Sequence, residues 1–234
     1  RLTYQASPSR TGSLREPMGS RSDPARDTRP VKVDFKKSHD AYRARAGEFR
    51  VVEVPRMRYL MIDGRGDPNT SQKYADALAS LYPVAYGLKF TSRRELDRDY
   101  VVPPLEALWW AADMTSFTSA RDKSQWCWTA MIMTPDWLTE QMFADAVSAA
   151  AAKQRGVRLE DVRLESLEEG LCVQTLHVGS YDDEVDVLAE MHGQFVPGAG
   201  LRMTGKHHEI YLSDARRVEP SRLRTILRQP VERA

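Results

Sequence analysis

Residues Trp126 to Met133 read WCWTAMIM, a strand-length run that is apolar on both of its alternating faces. Trp126, Trp128, Ala130 and Ile132 fall on one face, and Cys127, Met131 and Met133 on the other. Such a strand has to be covered on both sides, which excludes an open sheet wetted on one face at this point. Helices supply one cover. The face with two indoles needs a second layer or a ligand.

The flanking sequence supplies the helices. Met57 to Asp63 is an apolar strand closed by the turn signal Gly64-Arg65-Gly66-Asp67-Pro68. Asn69 or Thr70 then caps a helix whose Tyr74, Ala77, Leu78, Leu81, Tyr82 and Ala85 share one face, with Pro83 expected to kink or restart it. Tyr100 to Val102 and Leu105 to Trp110 read as strands. Thr134-Pro135 is expected to start a helix running toward Gly156. Leu171 to Val178 is a further strand, and Ser180 with Asp183 forms a capping box for a helix carrying Val185, Leu188, Ala189, His192 and Phe195. His207 to Leu212 and Arg224 to Val231 close the chain as strands.

Two halves therefore share the order strand, helix, strand, strand, with their helices starting near Ser71 and Tyr181, 110 residues apart. The expectation is an α+β body in which tandem strand-helix-strand-strand repeats form an antiparallel sheet. Helices lie on one face, and a ligand pocket lies where the halves meet.

Composition narrows the partners. Basic and acidic residues number 34 and 33. No block of either sign stands out, so neither nucleic acid nor a membrane is an expected partner. No apolar run approaches the roughly 18 residues of a membrane helix. Residues 1–30 are rich in Arg, Ser and Pro, lack apolar periodicity, and read as a disordered leader or an appended remnant, with residues 31–234 as the single domain. The two cysteines, Cys127 and Cys172, have no partner at metal-pair spacing, which fits a reducing, cytoplasmic setting. No cofactor and no metal is expected. The oligomeric state is not legible.

Two constellations can carry chemistry. In His207-His208-Glu209-Ile210-Tyr211-Leu212 a period of two puts His207, Glu209 and Tyr211 on one face and His208, Ile210 and Leu212 on the other. Imidazole, carboxylate and phenol in one row offer a base and hydrogen-bond donors to one bound molecule, although a solvated antiparallel face has the same pattern. The second constellation is aromatic. Four of the five Trp lie between positions 109 and 128, as many as a small core packs with difficulty and as a flat ligand uses well. In Leu105 to Trp110, Trp109 and Trp110 point to opposite faces.

The runs LYPVAYGLKF (81–90), PLEALWW (104–110), WCWTAMIMTP (126–135), EGLCVQTLHVGSY (169–181), HHEIYLSD (207–214) and LRTILRQPV (223–231) resemble the GyrI-like small-molecule-binding family, and within it the stand-alone branch of cyclopropanoid cyclopropyl hydrolases. That resemblance implies tandem repeats around a central pocket for lipophilic, often cationic compounds, with a glutamate of the E-I-Y strand, here Glu209, as polar anchor; the partner expected for this chain is a planar lipophilic small molecule. It further implies an aromatic cage that opens the cyclopropane of DNA-alkylating natural products, giving self-protection, antibiotic resistance or xenobiotic detoxification. Combined with the residue patterns, it assigns Trp110, Trp126, Trp128 and His207 to substrate binding. Glu209 and Tyr211 are assigned to catalysis, with Tyr211 or His207 as donor to the developing oxyanion. Ala107 departs from the glycine expected there. A protein that binds the same ligands without turnover would carry the same cage.

Overall fold

The computed structural model describes residues 31–111 and 123–234; the leader expected over 1–30 lies outside the described residues. Nine strands occur among them: β1 (Arg50–Val54), β2 (Met57–Arg65), β3 (Leu105–Trp110), β4 (Cys127–Thr134), β5 (Arg163–Leu167), β6 (Gly170–Val178), β7 (Leu201–Met203), β8 (His207–Tyr211) and β9 (Arg224–Arg233). Eight run in the order β1-β6-β9-β8-β3-β4-β2-β5, and β7 pairs with β9. All strand pairs are antiparallel. The two halves meet at the β3–β8 pair, where Ala107 faces Glu209 and Trp109 faces His207.

The helices are α1 (Phe35–Ser38), α2 (Gln72–Leu96), α3 (Glu140–Ala152), α4 (Glu184–Glu190) and α5 (Val196–Gly198), the last two joined by a π-helical turn over Met191–Phe195. α2 packs on β2, β4 and α3. Its stripe of Ala77, Leu81, Val84, Ala85 and Leu88 is buried in the larger core. In the second half, Met191 and Val196 pack on Val173 and Leu227 in a second core. Leu227 and Glu209 are register partners, so this cover lies on the face of the sheet that carries Ala107, Trp109 and Glu209. Helices thus sit on one face, as the repeat pattern implies.

Four local expectations are corrected. α2 runs through Pro83 as one helix and does not restart there. A long helix tolerates the missing N–H when its apolar stripe is fully packed. β4 continues through Thr134, where it pairs with Arg58, so α3 begins only at Glu140. Thr139 caps it, its Oγ1 accepting from the Met142 N–H at 3.2 Å. Tyr100 to Val102 is no strand: Tyr100 makes one isolated bridge to Val33, and its ring is buried. The capping box at Ser180 is present, with Ser180 Oγ donating to Asp183 Oδ2 at 2.7 Å, but it opens a 3-10 turn (Tyr181–Asp183) before α4.

The opposite face of the central strands carries a buried charge cluster. His208 Nδ1 lies 3.0 Å from Glu169 Oε1, and its Nε2 lies 3.0 Å from Glu106 Oε2. Arg228 donates from Nη1 to Glu169 Oε2 at 2.7 Å and from Nε to Gln174 Oε1 at 3.0 Å. Tyr42 donates to Glu106 Oε1 at 2.5 Å. Two carboxylates against a guanidinium and an imidazole make a nearly balanced set, which is what a dry interior requires.

Candidate functional site

A cavity of about 1330 Å³ opens between α2 and α4 over the β3–β8 pair. Its two helical walls correspond residue by residue. Tyr74, Ala75, Leu78, Ala79, Tyr82 and Pro83 line one wall, and Glu184, Val185, Leu188, Ala189, His192 and Gly193 line the other, each at an offset of 110. The tandem repeat thus generates the cavity, since equivalent helices present equivalent positions to the space between them. The repeat is broken where chemistry differs: Tyr74 answers Glu184, and Tyr82 answers His192.

At the floor, β8 presents Glu209 and Tyr211. The Tyr211 hydroxyl donates to Glu209 Oε2 at 2.6 Å and accepts from the Trp109 indole N–H at 3.1 Å. Burial, followed by the Glu209 charge, pushes the Tyr211 phenol well above its ordinary pKa, so it is a neutral donor at neutral pH. Burial likewise pushes Tyr181 up to about 12 and raises Tyr74, with the carboxylates nearby adding to both. The Tyr181 ring meets that of Tyr211 edge to face at 5.6 Å. The result is that the Glu209 carboxyl group sits among phenols that keep their protons.

The aromatic wall is built in layers. The Tyr74 ring stacks on Trp109 at 6.1 Å, and Trp109 meets Trp126 edge-on at 5.7 Å. Trp109 and Trp126 both line the cavity, while Trp128 is fully buried one layer behind, edge-on to Tyr74 at 4.9 Å. Lys123, its Nζ 5.8 Å from the Trp126 ring, also lines the space and is paired to Asp182 at 3.1 Å.

The cage expected from sequence therefore falls out differently. Trp126 lines the cavity. Trp128 supports it from behind. Trp110 lies on the opposite face of the sheet, with Lys206 Nζ 3.4 Å from its ring centroid, and the wall position belongs to Trp109. Register is the cause: Trp109 pairs with Trp128 and Trp110 with Cys127, so the face shared with Trp128 carries Trp109. The alternation in LEALWW separates the two indoles, but only the pairing says which one faces Glu209. His207 is buried beside the site and does not line the cavity. Its Nε2 is 3.6 Å from Glu209 Oε1, too long for a hydrogen bond, and its ring lies 6.1 Å from that of His192. Sequence reasoning missed Tyr74, Tyr181 and Glu184. The 110-residue offset, applied to the cavity-facing stripe of the first helix, is the signal that locates Glu184.

Among the described residues no group of His, Cys, Asp and Glu is arranged to hold a metal ion, and no helix is long and apolar enough to cross a membrane. The arrangement can enclose a small molecule against a wall that includes Tyr74, Trp109 and Trp126 and set the Tyr211-held carboxyl group of Glu209 beside it.

Comparison with known proteins agrees with this geometry. A family model described as a GyrI-like small molecule binding domain matches residues 47–232. Comparison with curated proteins found no match. Among solved structures, an uncharacterized conserved protein from Listeria innocua is 42% identical, with 86% of this chain and 100% of that chain covered and a TM-score of 0.78. A protein from the same organism described as a hydrolase is 41% identical at the same coverage, with a TM-score of 0.75.

Proposed function

Because the chain belongs to the GyrI-like small-molecule-binding family, we propose that its cavity takes a planar, lipophilic molecule and that Glu209 directs water onto a strained cyclopropane in it. The observation that carries this reading is the Glu209 carboxylate, held by Tyr211 at the floor of an aromatic-walled cavity. The similar Listeria protein described as a hydrolase supports catalysis as a class.

In a spiro-cyclopropane conjugated to a dienone, water attacks a cyclopropyl carbon. The breaking C–C bond sends its electron pair through the ring to the carbonyl oxygen, which becomes a phenol oxygen. The proton lost by the water passes to Glu209 and ends on that oxygen, so the sum is one water added. Ring strain and aromatisation drive the reaction, so the protein supplies position and charge stabilisation. Tyr74, Trp109 and Trp126 fix the plane of the ring system. Tyr211 holds Oε2 of Glu209, which leaves Oε1 for the water. With the Tyr211 proton committed to Glu209, the hydrogen bond to the developing oxyanion falls to Tyr181, a phenol that stays protonated at neutral pH.

A second reading, binding without turnover, is favoured by the family's description as small-molecule binding. Mass spectrometry of a spiro-cyclopropane dienone incubated with the protein separates them. The proposal expects a product heavier by one water. Recovery of bound but unchanged compound would support sequestration instead.

A further inference from the structure

The first wall of the cavity runs further than the second. Along α2, Leu78, Tyr82, Tyr86 and Phe90 follow Tyr74 at steps of four residues, and the ring centroids of Tyr82, Tyr86 and Phe90 are successively 6.5 and 6.3 Å apart. Tyr82 and Tyr86 both line the cavity. The second half has no counterpart to this stretch. At the 110-residue offset Tyr86 corresponds to Val196, which is buried in the second core, so that wall leaves the cavity after Gly193. From there on the space along α2 is bounded by residues 102–105 and by the turn at 212–217. We infer that this outer arm is a second binding subsite, in which Tyr82 and Tyr86 take an aromatic ring that the ligand carries away from its reacting end. The inference rests on the reading of the cavity as a site for a planar molecule, and it specifies that molecule as one with two aromatic units.

Size is the first support. A cavity of about 1330 Å³ exceeds the roughly 300 to 1,000 Å³ usual for a small-molecule site, so a single flat unit beside Glu209 leaves much of it unfilled. Distance is the second. At about 1.5 Å per residue, Tyr82 and Tyr86 stand roughly 12 and 18 Å along α2 from Tyr74, so a ring placed there belongs to a separate unit and not to a larger head. Exposure is the third: Tyr86 is 46% exposed, which leaves apolar ring area for a ligand to cover.

The other side of the arm is already folded. Asp214 Oδ1 accepts from the Arg216 backbone N–H and Nε, each at 3.0 Å, and Oδ2 accepts from Nη2 at 2.9 Å. The charges of Arg216 and Asp214 both act on the Tyr82 hydroxyl, which sets the turn beside that ring. A preformed slot spares a bound ring part of the ordering cost of association.

The test uses two probes with the same head, diethylene glycol methyl 2-naphthyl ether and diethylene glycol bis(2-naphthyl) ether, titrated by calorimetry into the full chain and into Tyr82→Ala, Tyr86→Ala and Tyr86→Phe. The native protein is expected to bind the two-ring probe about tenfold or more tighter than the one-ring probe, beyond the roughly twofold advantage of offering either end. Tyr86→Ala should bring the ratio down to about two while leaving the one-ring probe close to native affinity. Tyr82→Ala should lower the ratio as well, and Tyr86→Phe, which keeps the ring, should retain it. A purely structural role would weaken both probes together at an unchanged ratio, which overturns the inference, as does a preference that survives both alanine variants. A native ratio of about two also overturns it and leaves the cavity reading intact. Failure of the one-ring probe to bind the native protein overturns both.

Discussion

The Tyr211 hydroxyl bridges Trp109 and Glu209, accepting from the indole N–H at 3.1 Å and donating to the carboxylate at 2.6 Å. A ring of the cavity wall is thereby tied to the group proposed to activate water. Tyr211→Phe removes both bonds and leaves the carboxylate free to turn, while the ring stays. In the proposed reaction turnover should fall by about 10 to 100 fold with little change in KM, because orientation matters most in the transition state. Steady-state kinetics with a spiro-cyclopropane dienone checks the split. A proportional rise in KM instead would make Tyr211 a ligand anchor.

The two adjacent indoles should behave as opposites. Trp109→Ala and Trp126→Ala remove cavity walls and should each weaken a planar aromatic ligand by about 1 to 3 kcal/mol. Trp110→Ala acts on the far face beneath Lys206 and should leave affinity unchanged. Titrations monitored by calorimetry, which do not depend on the deleted fluorophore, compare the three directly.

Gly64 has no room for a side chain. A Cβ there would lie 2.1 Å from the Trp128 ring, which is fully buried and props Tyr74 from behind. Gly64→Ala should therefore cost about 1 to 3 kcal/mol of stability, read by urea denaturation, and should also weaken ligand binding through Tyr74. A neutral effect on both would show that Trp128 moves freely.

Stability should vary with pH through the cluster behind the site. Burial opposes the charge on His208, but Glu169 and Glu106 outweigh it and raise its pKa. Its contribution is present in full below the unfolded value, about 6.5, and is lost as pH rises through the folded one. Burial also opposes ionisation of Glu169, yet His208 and Arg228 bring it down to about 2, so its contribution is lost as pH falls from the usual carboxylate range toward 2. Chemical denaturation as a function of pH should show both limbs. His208→Gln should remove the alkaline one.

Much of this was legible because it is periodic. The two-faced run WCWTAMIM demanded cover on both sides, and the structure gives it a helical layer on one and the buried cluster's face on the other. Alternation along HHEIY separated Glu209 and Tyr211 from His208. What pairing decides stayed hidden. Trp109 and Trp110 were separable but not assignable until β3 was registered on β4. The short strands β1, β5 and β7 lack the length that makes alternation stand out. His208, Glu169 and Arg228 come from three distant strands or turns, so no local pattern announces their contact.

The most direct measurement compares native protein and Glu209→Gln for water addition to a spiro-cyclopropane dienone, followed by mass spectrometry, with binding measured separately. Glutamine keeps the shape and the bond from Tyr211 but removes the base. The account predicts a native product heavier by one water, and in Glu209→Gln affinity close to native with turnover lower by about 10² to 10⁴ fold. Native-rate hydrolysis by Glu209→Gln, or bound compound that the native protein leaves unchanged, would contradict it.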